Sequence, residues 1–166
     1  MSAPLEDLLK IAHVACEAAR RAGAEFADAS VERGRTMSVA VEKNAIKSCD
    51  TRHRASVSGR AFADGATGWS SVSGVAEQAA RRAGKQAAEL ARAAECNPDF
   101  IDLVGPEAYP AVKGLFDPEL AGISAAQVAE WVTGNVDAAL QVSADATLTG
   151  NAHTEWREWA LVNNLG

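Results

Sequence analysis

At 166 residues and a net charge of −6, the chain has the length of a single domain and the wrong electrostatic sign for gripping a phosphate backbone, so direct nucleic-acid binding is not expected. The composition is 48% hydrophobic but only 5% aromatic. Alanine must therefore supply much of the core, which implies thin layers and close helix–sheet packing in place of a wide aromatic pocket. A chain of this size buries roughly 70% of its unfolded surface and needs neither disulfides nor metal to fold.

Ser2 to Gly23 reads as an amphipathic helix. Leu5, Leu8, Leu9, Ala12, Cys16 and Ala19 recur at three- and four-residue steps and make one apolar stripe. Ser2 suits the cap, Pro4 the first turn and Gly23 the stop, and Arg20 and Arg21 fall where the helix dipole favours cations. His13 lies beside the stripe as a boundary residue, and Cys16 reads as a small core residue.

Ala24 to Val72 is the stretch the rest is organised around. Ala27, Ala29 and Val31 alternate with Asp28, Ser30 and Glu32, and Met37, Val39 and Val41 alternate with Ser38, Ala40 and Glu42. Period-two patterning means strands with one face buried and one wet. Lys43-Asn44 and Asp64-Gly65 read as turns. Four or five antiparallel strands are expected, with Arg52-His53-Arg54 at a solvated hairpin tip. Gly59 and Gly68 sit inside strands, where glycine marks a bulge or a close backbone approach. Either they shape a curved surface that accepts a ligand, or they let the hairpin bend around the first helix; the second reading is the simpler.

Val75 to Ala94 forms a second amphipathic helix, with Ser73 as its cap and Val75, Ala79, Ala83, Ala87, Leu90, Ala91 and Ala94 facing inward. Asn97 to Gly122 is a long connection holding Pro98, Pro106, Pro110 and Pro118. Its Phe100, Ile101, Tyr109, Leu115 and Phe116 are too apolar for free solvent, so it is expected to wrap across a surface. Ser124 opens a third helix reaching about Val142, with Val128, Trp131, Val132, Val136, Ala139 and Leu140 buried. Ala146–Thr149 and Thr154–Val162 read as two further strands joined through Gly150-Asn151. The chain then stops at a turn signal, like the front part of something longer.

The resulting fold class is α+β: a curved antiparallel sheet of four to five strands covered by amphipathic helices, plus a C-terminal helix and partial hairpin. Three segments are expected: a helix–meander–helix core over 1–96, a Pro-rich wrapping loop over 97–123, and a C-terminal helix with strands over 124–166.

Chemistry is harder to place. The three histidines, His13, His53 and His153, are scattered, and a zinc hydrolase of the common kind needs two of them one helical turn apart with a Glu as base. His153 and Glu155 share a strand face, but two ligands make no closed or catalytic site. Cys16, Cys49 and Cys96 contain no Cys-x-x-Cys pair, which leaves neither a zinc knuckle nor a thioredoxin-type redox site. There is no Gly-x-Ser-x-Gly elbow and no Walker or dinucleotide glycine pattern. No catalytic residue and no metal ligand is assigned. No signal-peptide pattern and no apolar run of membrane length occurs, which points to a cytoplasmic protein without a membrane partner.

Taken in order, these features resemble the N-terminal domain of the TldD/PmbA family, described as modulators of DNA gyrase and as zinc-dependent peptidases. Ala22-Gly-Ala-Glu-Phe-Ala-Asp28-Ala-Ser-Val-Glu32-Arg33 is similar to the family's first strand after its opening helix. Asp64-Gly65-Ala-Thr-Gly68-Trp69-Ser-Ser looks like its Asp-Gly-x-x-Gly-aromatic hairpin. Ala79 to Asp99, Phe116-Asp117-Pro118 and Leu161-Val-Asn-Asn164-Leu-Gly166 resemble later segments. Two departures stand out. Ala55-Ser-Val-Ser-Gly59-Arg60 keeps only the end of the family's Gly-x-Gly-x-Arg strand, and the peptidases' His-Glu-x-x-x-His zinc motif is absent.

The resemblance implies a non-catalytic domain whose cofactor, zinc, belongs to the catalytic region of peptidase members. It also implies a homo- or hetero-oligomer with a TldD/PmbA-type subunit, acting on peptide or unfolded protein. A peptide-accepting surface is expected around Arg60, Asp64 and Trp69, with Trp69 as apolar platform and Arg60 as tether for a carboxylate. Two other readings remain open. One is a free-standing interaction module without any peptidase; the other is a small hydrolase drawing on His53, His153 or Cys49.

Overall fold

A computed structural model describes residues 5–165 of the chain. Ser2 and Pro4, expected to start the first helix, and the side chain of Leu5 lie outside the described residues. The elements in order are α1 (Leu5–Arg21), β1 (Phe26–Glu42), β2 (Ala45–Ala63), β3 (Ala66–Ser73), α2 (Glu77–Ala93), α3 (Pro118–Gly122), α4 (Ala125–Val142) and β4 (Gly150–Asn163). The sheet has four strands in the order β3-β2-β1-β4. This is the α+β class and antiparallel sheet read from the sequence.

The strands are fewer and longer than the alternation suggested. The two segments around Val31 and Val39 are one strand, β1, running through Gly34. A Cβ at Gly34 would sit 2.6 Å from the carbonyl oxygen of Trp156, so this glycine marks the close approach of β4 and not a chain break. Arg52-His53-Arg54 lies inside β2, exposed along a strand and not at a hairpin tip. The turns are where expected. Lys43 and Asn44 have φ of 51° and 67°, and Asp64 and Gly65 have 52° and 73°, the left-handed pairs of two-residue hairpin turns.

The chain divides into two compact units, one of 1–33, 54–110 and 158–166, the other of 34–53 and 111–157. In the first unit, Ala27, Ala29 and Val31 of β1 and Val57 and Ala61 of β2 join α1 and α2 in one core. Among the described residues, fourteen of the eighteen buried in that core are alanine, so backbones must come close before side chains can touch. Three glycines permit it. A Cβ on Gly84 of α2 would lie 2.0 Å from Ala15 O of α1, and one on Gly68 of β3 would lie 2.1 Å from Ala87 O of α2. One on Gly59 of β2 would meet Ala83 at 3.2 Å. The strand glycines thus serve helix packing, as the simpler reading held, but the helix they approach is α2 and not α1.

Because α2 is covered on two sides, its buried set (Ala80, Ala83, Gly84, Ala87, Ala88, Ala91) is wider than a single stripe, and Leu90 turns outward. Ser73 ends β3 and does not cap α2, whose N-cap is Ala76 without a side-chain bond. α1 ends as expected: Gly23 has φ 97°, and Ala24 N donates to Ala19 O at 3.1 Å.

In the second unit, Met37, Val39 and Val41 of β1 pack with Ile123 and with Val128, Val132 and Val136 of α4. Ser124 caps α4 through a capping box with Gln127. Trp131 is 53% exposed, outside the stripe expected to hold it. Within the connection, Asp117 caps the short α3. Arg35 donates to Ala121 O and Ile123 O at 2.7 and 2.9 Å, closing the end of α3. Ala146–Thr149 is not a strand. The Asn44 side chain holds it instead, donating to Ala146 O at 2.8 Å and accepting from Leu148 N at 2.6 Å.

Candidate functional site

The candidates for a peptide surface, Arg60, Asp64 and Trp69, all belong to the β2–β3 hairpin of the first unit. The two-residue turn fixes the register: Ala63 pairs with Ala66, and three steps back Arg60 stands directly across from Trp69. Both side chains leave the sheet on the face opposite the alanine core, since Ala61 and Gly68 point inward. Trp69 is 61% exposed. Asp64 occupies the turn itself, exposed.

Arg60 is not a free cation. Its Nε donates to Asp28 Oδ2 at 2.8 Å and its Nη2 donates to the same oxygen, so the guanidinium and the carboxylate of β1 largely neutralise each other. The guanidinium carbon also stands 5.2 Å from the centre of the Phe62 ring. Phe62 is buried because Phe100, from the connection after α2, stacks on it at 4.0 Å with an interplanar angle of 11°. Phe26 meets Phe100 edge-on at 5.9 Å. The start of the connection does wrap the sheet at this point, and Asn163 Nδ2 holds it further on by donating to Val104 O at 2.8 Å. Beyond Phe100 the expected wrapping fails: Ile101 is 89% and Tyr109 84% exposed.

Arg60 and Asp28 also line a cavity of about 480 Å³ with Leu9, His13, Leu103 and Tyr109, a size within the range of small-molecule sites. The alternation puts Asp28 on the wet face of β1 and the apolarity of Phe100 marks it for cover, but neither signal names its partner, and Phe62 carries no signal of its own.

The other candidates stay apart. His153 and Glu155 are exposed on one face of β4, and Cys49 and His53 are exposed on β2. Among the described residues no three His, Cys, Asp or Glu side chains converge, so these residues do not fit a zinc ion. Cys16 is buried in the core, its Sγ 3.6 Å from Val162 O, and burial together with the charge of Asp28 pushes its thiol up from 9.0 to about 12. It is a packing residue and not a nucleophile. No described helix is long and apolar enough to cross a membrane.

An alanine-packed pair of helices on one face of an open antiparallel sheet, with an Asp-Gly hairpin carrying an exposed Trp, defines a small α+β domain class with a known sequence profile. Residues 27–91 match the family described as PmbA/TldA metallopeptidase domain 1. The structure of TldE from Thermococcus kodakarensis superposes with a TM-score of 0.86 over 94% of this chain at 22% identity. A proposed modulator of DNA gyrase from Bacteroides thetaiotaomicron gives 0.68 over 94% at 12% identity, and another from Thermotoga maritima 0.68 over 95% at 13%. The chain spans only 35%, 44% and 35% of those three structures. No curated protein matches it. Residues 27–91 thus carry the sequence pattern of that family's first domain, and the chain shares its fold with these three structures.

Proposed function

We propose that the chain acts as a non-catalytic N-terminal domain of a TldD/PmbA-type metallopeptidase subunit in the cytoplasm, supplying contacts for subunit assembly and a surface for peptide. The observation that supports this reading is the partly open face of the sheet. One face is sealed by α1 and α2, while the other, covered at Phe62 by Phe100, presents Trp69, 61% exposed, across from Arg60. An indole of that exposure is a flat apolar platform of the kind that dominates peptide and protein contacts. Arg60, held by Asp28, is a fixed donor beside it and not a mobile tether. Asp64 at the turn would meet a basic or amide group of the same ligand. Zinc chemistry belongs elsewhere in such an assembly.

The test is zinc content and peptide cleavage of the purified chain, followed by titration with an unstructured, end-blocked peptide. Neither zinc nor cleavage is expected, and Trp69→Ala should weaken peptide binding by about tenfold. Stoichiometric zinc with chelator-sensitive cleavage would overturn the non-catalytic reading, and peptide binding indifferent to Trp69 would overturn the surface.

A second reading, a free-standing interaction module, is favoured by one feature. Among the described residues, seven of the fifteen exposed large apolar ones fall within Ile101–Leu120, a concentration that suits contact with another protein. Capture of a larger TldD/PmbA-type subunit from the native source would decide for the first reading over the second.

A further inference from the structure

The second unit leaves a stretch of sheet without a neighbour. β3 pairs with β2 only from Ser56 onward, and β1 lies on the other side. Ala45–His53 of β2 is therefore an edge, and each of its residues is exposed, on both faces of the strand. Natural sheets blunt such edges with charge, proline or bulges. Here there is no proline, and the charges are few: Lys47, Asp50 and Arg52. Lys47 is paired with Glu42 at 2.6 Å. Arg52 has no hydrogen bond or ion pair among the described residues, and Asp50 accepts only from Ser48 Oγ, at 3.2 Å. An unpaired arginine two residues from an under-used carboxylate, on the same face of an open strand, is self-complementary under a two-fold axis.

We propose that this edge pairs with the same edge of a second copy of the chain, antiparallel and centred on Thr51. In that register Thr51 faces Thr51 of the second copy, Asp50 faces its Arg52, and Arg52 faces its Asp50. Threonine pairs and opposite charges directly across an antiparallel ladder are each favourable. Other centrings are worse: centring on Asp50 sets two carboxylates against each other, and centring between Cys49 and Asp50 sets Lys47 against Arg52. The occupant also suits the backbone, because an edge offers alternating N–H and C=O groups that only another strand satisfies together. A phosphate chain, acceptor only, would leave the edge carbonyls unpaired. The inference deepens the assembly role proposed above and rests on it.

The test is sedimentation velocity on the wild-type chain and on Asp50→Arg, Arg52→Asp and the double exchange, with amide hydrogen exchange read over 45–53. Both positions are exposed, so the variants should fold, which circular dichroism checks. Each single change sets like charges opposite twice and should weaken the dimer by about tenfold. The double exchange should restore it, and amides of the edge should exchange more slowly as protein concentration rises. A dimer indifferent to all three variants would overturn this interface while leaving assembly through another surface standing. A monomer at every concentration would overturn this interface, while assembly with a TldD/PmbA-type subunit is read separately, by capture of that subunit. Protection of the same amides by a single-stranded oligonucleotide, without dimerisation, would overturn the choice of a protein strand.

Discussion

Single atoms decide several features of this chain. Cys16 is 3% exposed and its thiol is raised from 9.0 to about 12, chiefly by burial and then by the charge of Asp28. A raised folded-state value means that the unfolded chain loses this proton first. Its contribution to stability is therefore intact below pH 9 and lost as pH climbs from 9 towards 12, at about 1.4 kcal/mol per unit. A Cys16→Ala variant should lose less stability than wild type over that interval, measured by urea unfolding at pH 8 and at pH 10.5. In the native state at pH 8, Cys49 and Cys96, both exposed, should react with a thiol reagent while Cys16 does not. A sharper dependence belongs to Gly84. A methyl group there would stand 2.0 Å from Ala15 O, a backbone atom that cannot swing aside. Gly84→Ala is expected to cost at least about 3 kcal/mol by urea titration, where the same change at an open helix position would stabilise.

At the scale of elements, what the sequence revealed and what it hid divide along the distance to the deciding partner. α1 was legible in extent and in most of its stripe, because the apolar spacing, the basic last turn and Gly23 are all local signals, but Leu9, expected in the stripe, is 36% exposed and Ala15 is buried instead. The Asp64-Gly65 turn was likewise legible, and with it the placing of Arg60 across from Trp69. The role of Gly34 was not legible, because its reason is the Trp156 carbonyl, far away in sequence. The two-sided burial of α2 and the outward turn of Trp131 depend on which neighbours arrive, and periodicity does not carry that. The partner of Arg60 and the stack on Phe62 were hidden for the same reason: Asp28 and Phe100 arrive from other elements. The Phe100 anchor yields a prediction of its own. The Phe26, Phe62 and Phe100 contacts are the described aromatic hold on the connection. Phe100→Ala should speed thermolysin cleavage between Leu103 and Val104 by about tenfold or more, while the unfolding midpoint of the alanine core moves little. If cleavage there is unchanged, the hydrogen bond from Asn163 to Val104 is the effective anchor.

For the molecule as a whole, three of the four tryptophans stand outside the core. The first unit is closed by alanine and valine, while Trp69, Trp131 and Trp159 are 61%, 53% and 52% exposed. Tryptophan is costly to leave in water and is enriched where one protein meets another. Three such residues on a small chain therefore fit a part built to be covered. The intrinsic fluorescence makes this measurable. The native chain should emit like a solvated indole and be readily quenched by acrylamide, with only a small change on unfolding. Addition of a TldD/PmbA-type subunit from the same source should shift the emission to the blue and lower the quenching constant. Single Trp→Phe variants then assign the protection, and Trp69 should account for it if the open sheet face is the surface engaged. Complex formation that leaves all three indoles as quenchable as before would place the contact away from them. In that case the exposed apolar residues of Ile101–Leu120 would be the ones to vary next.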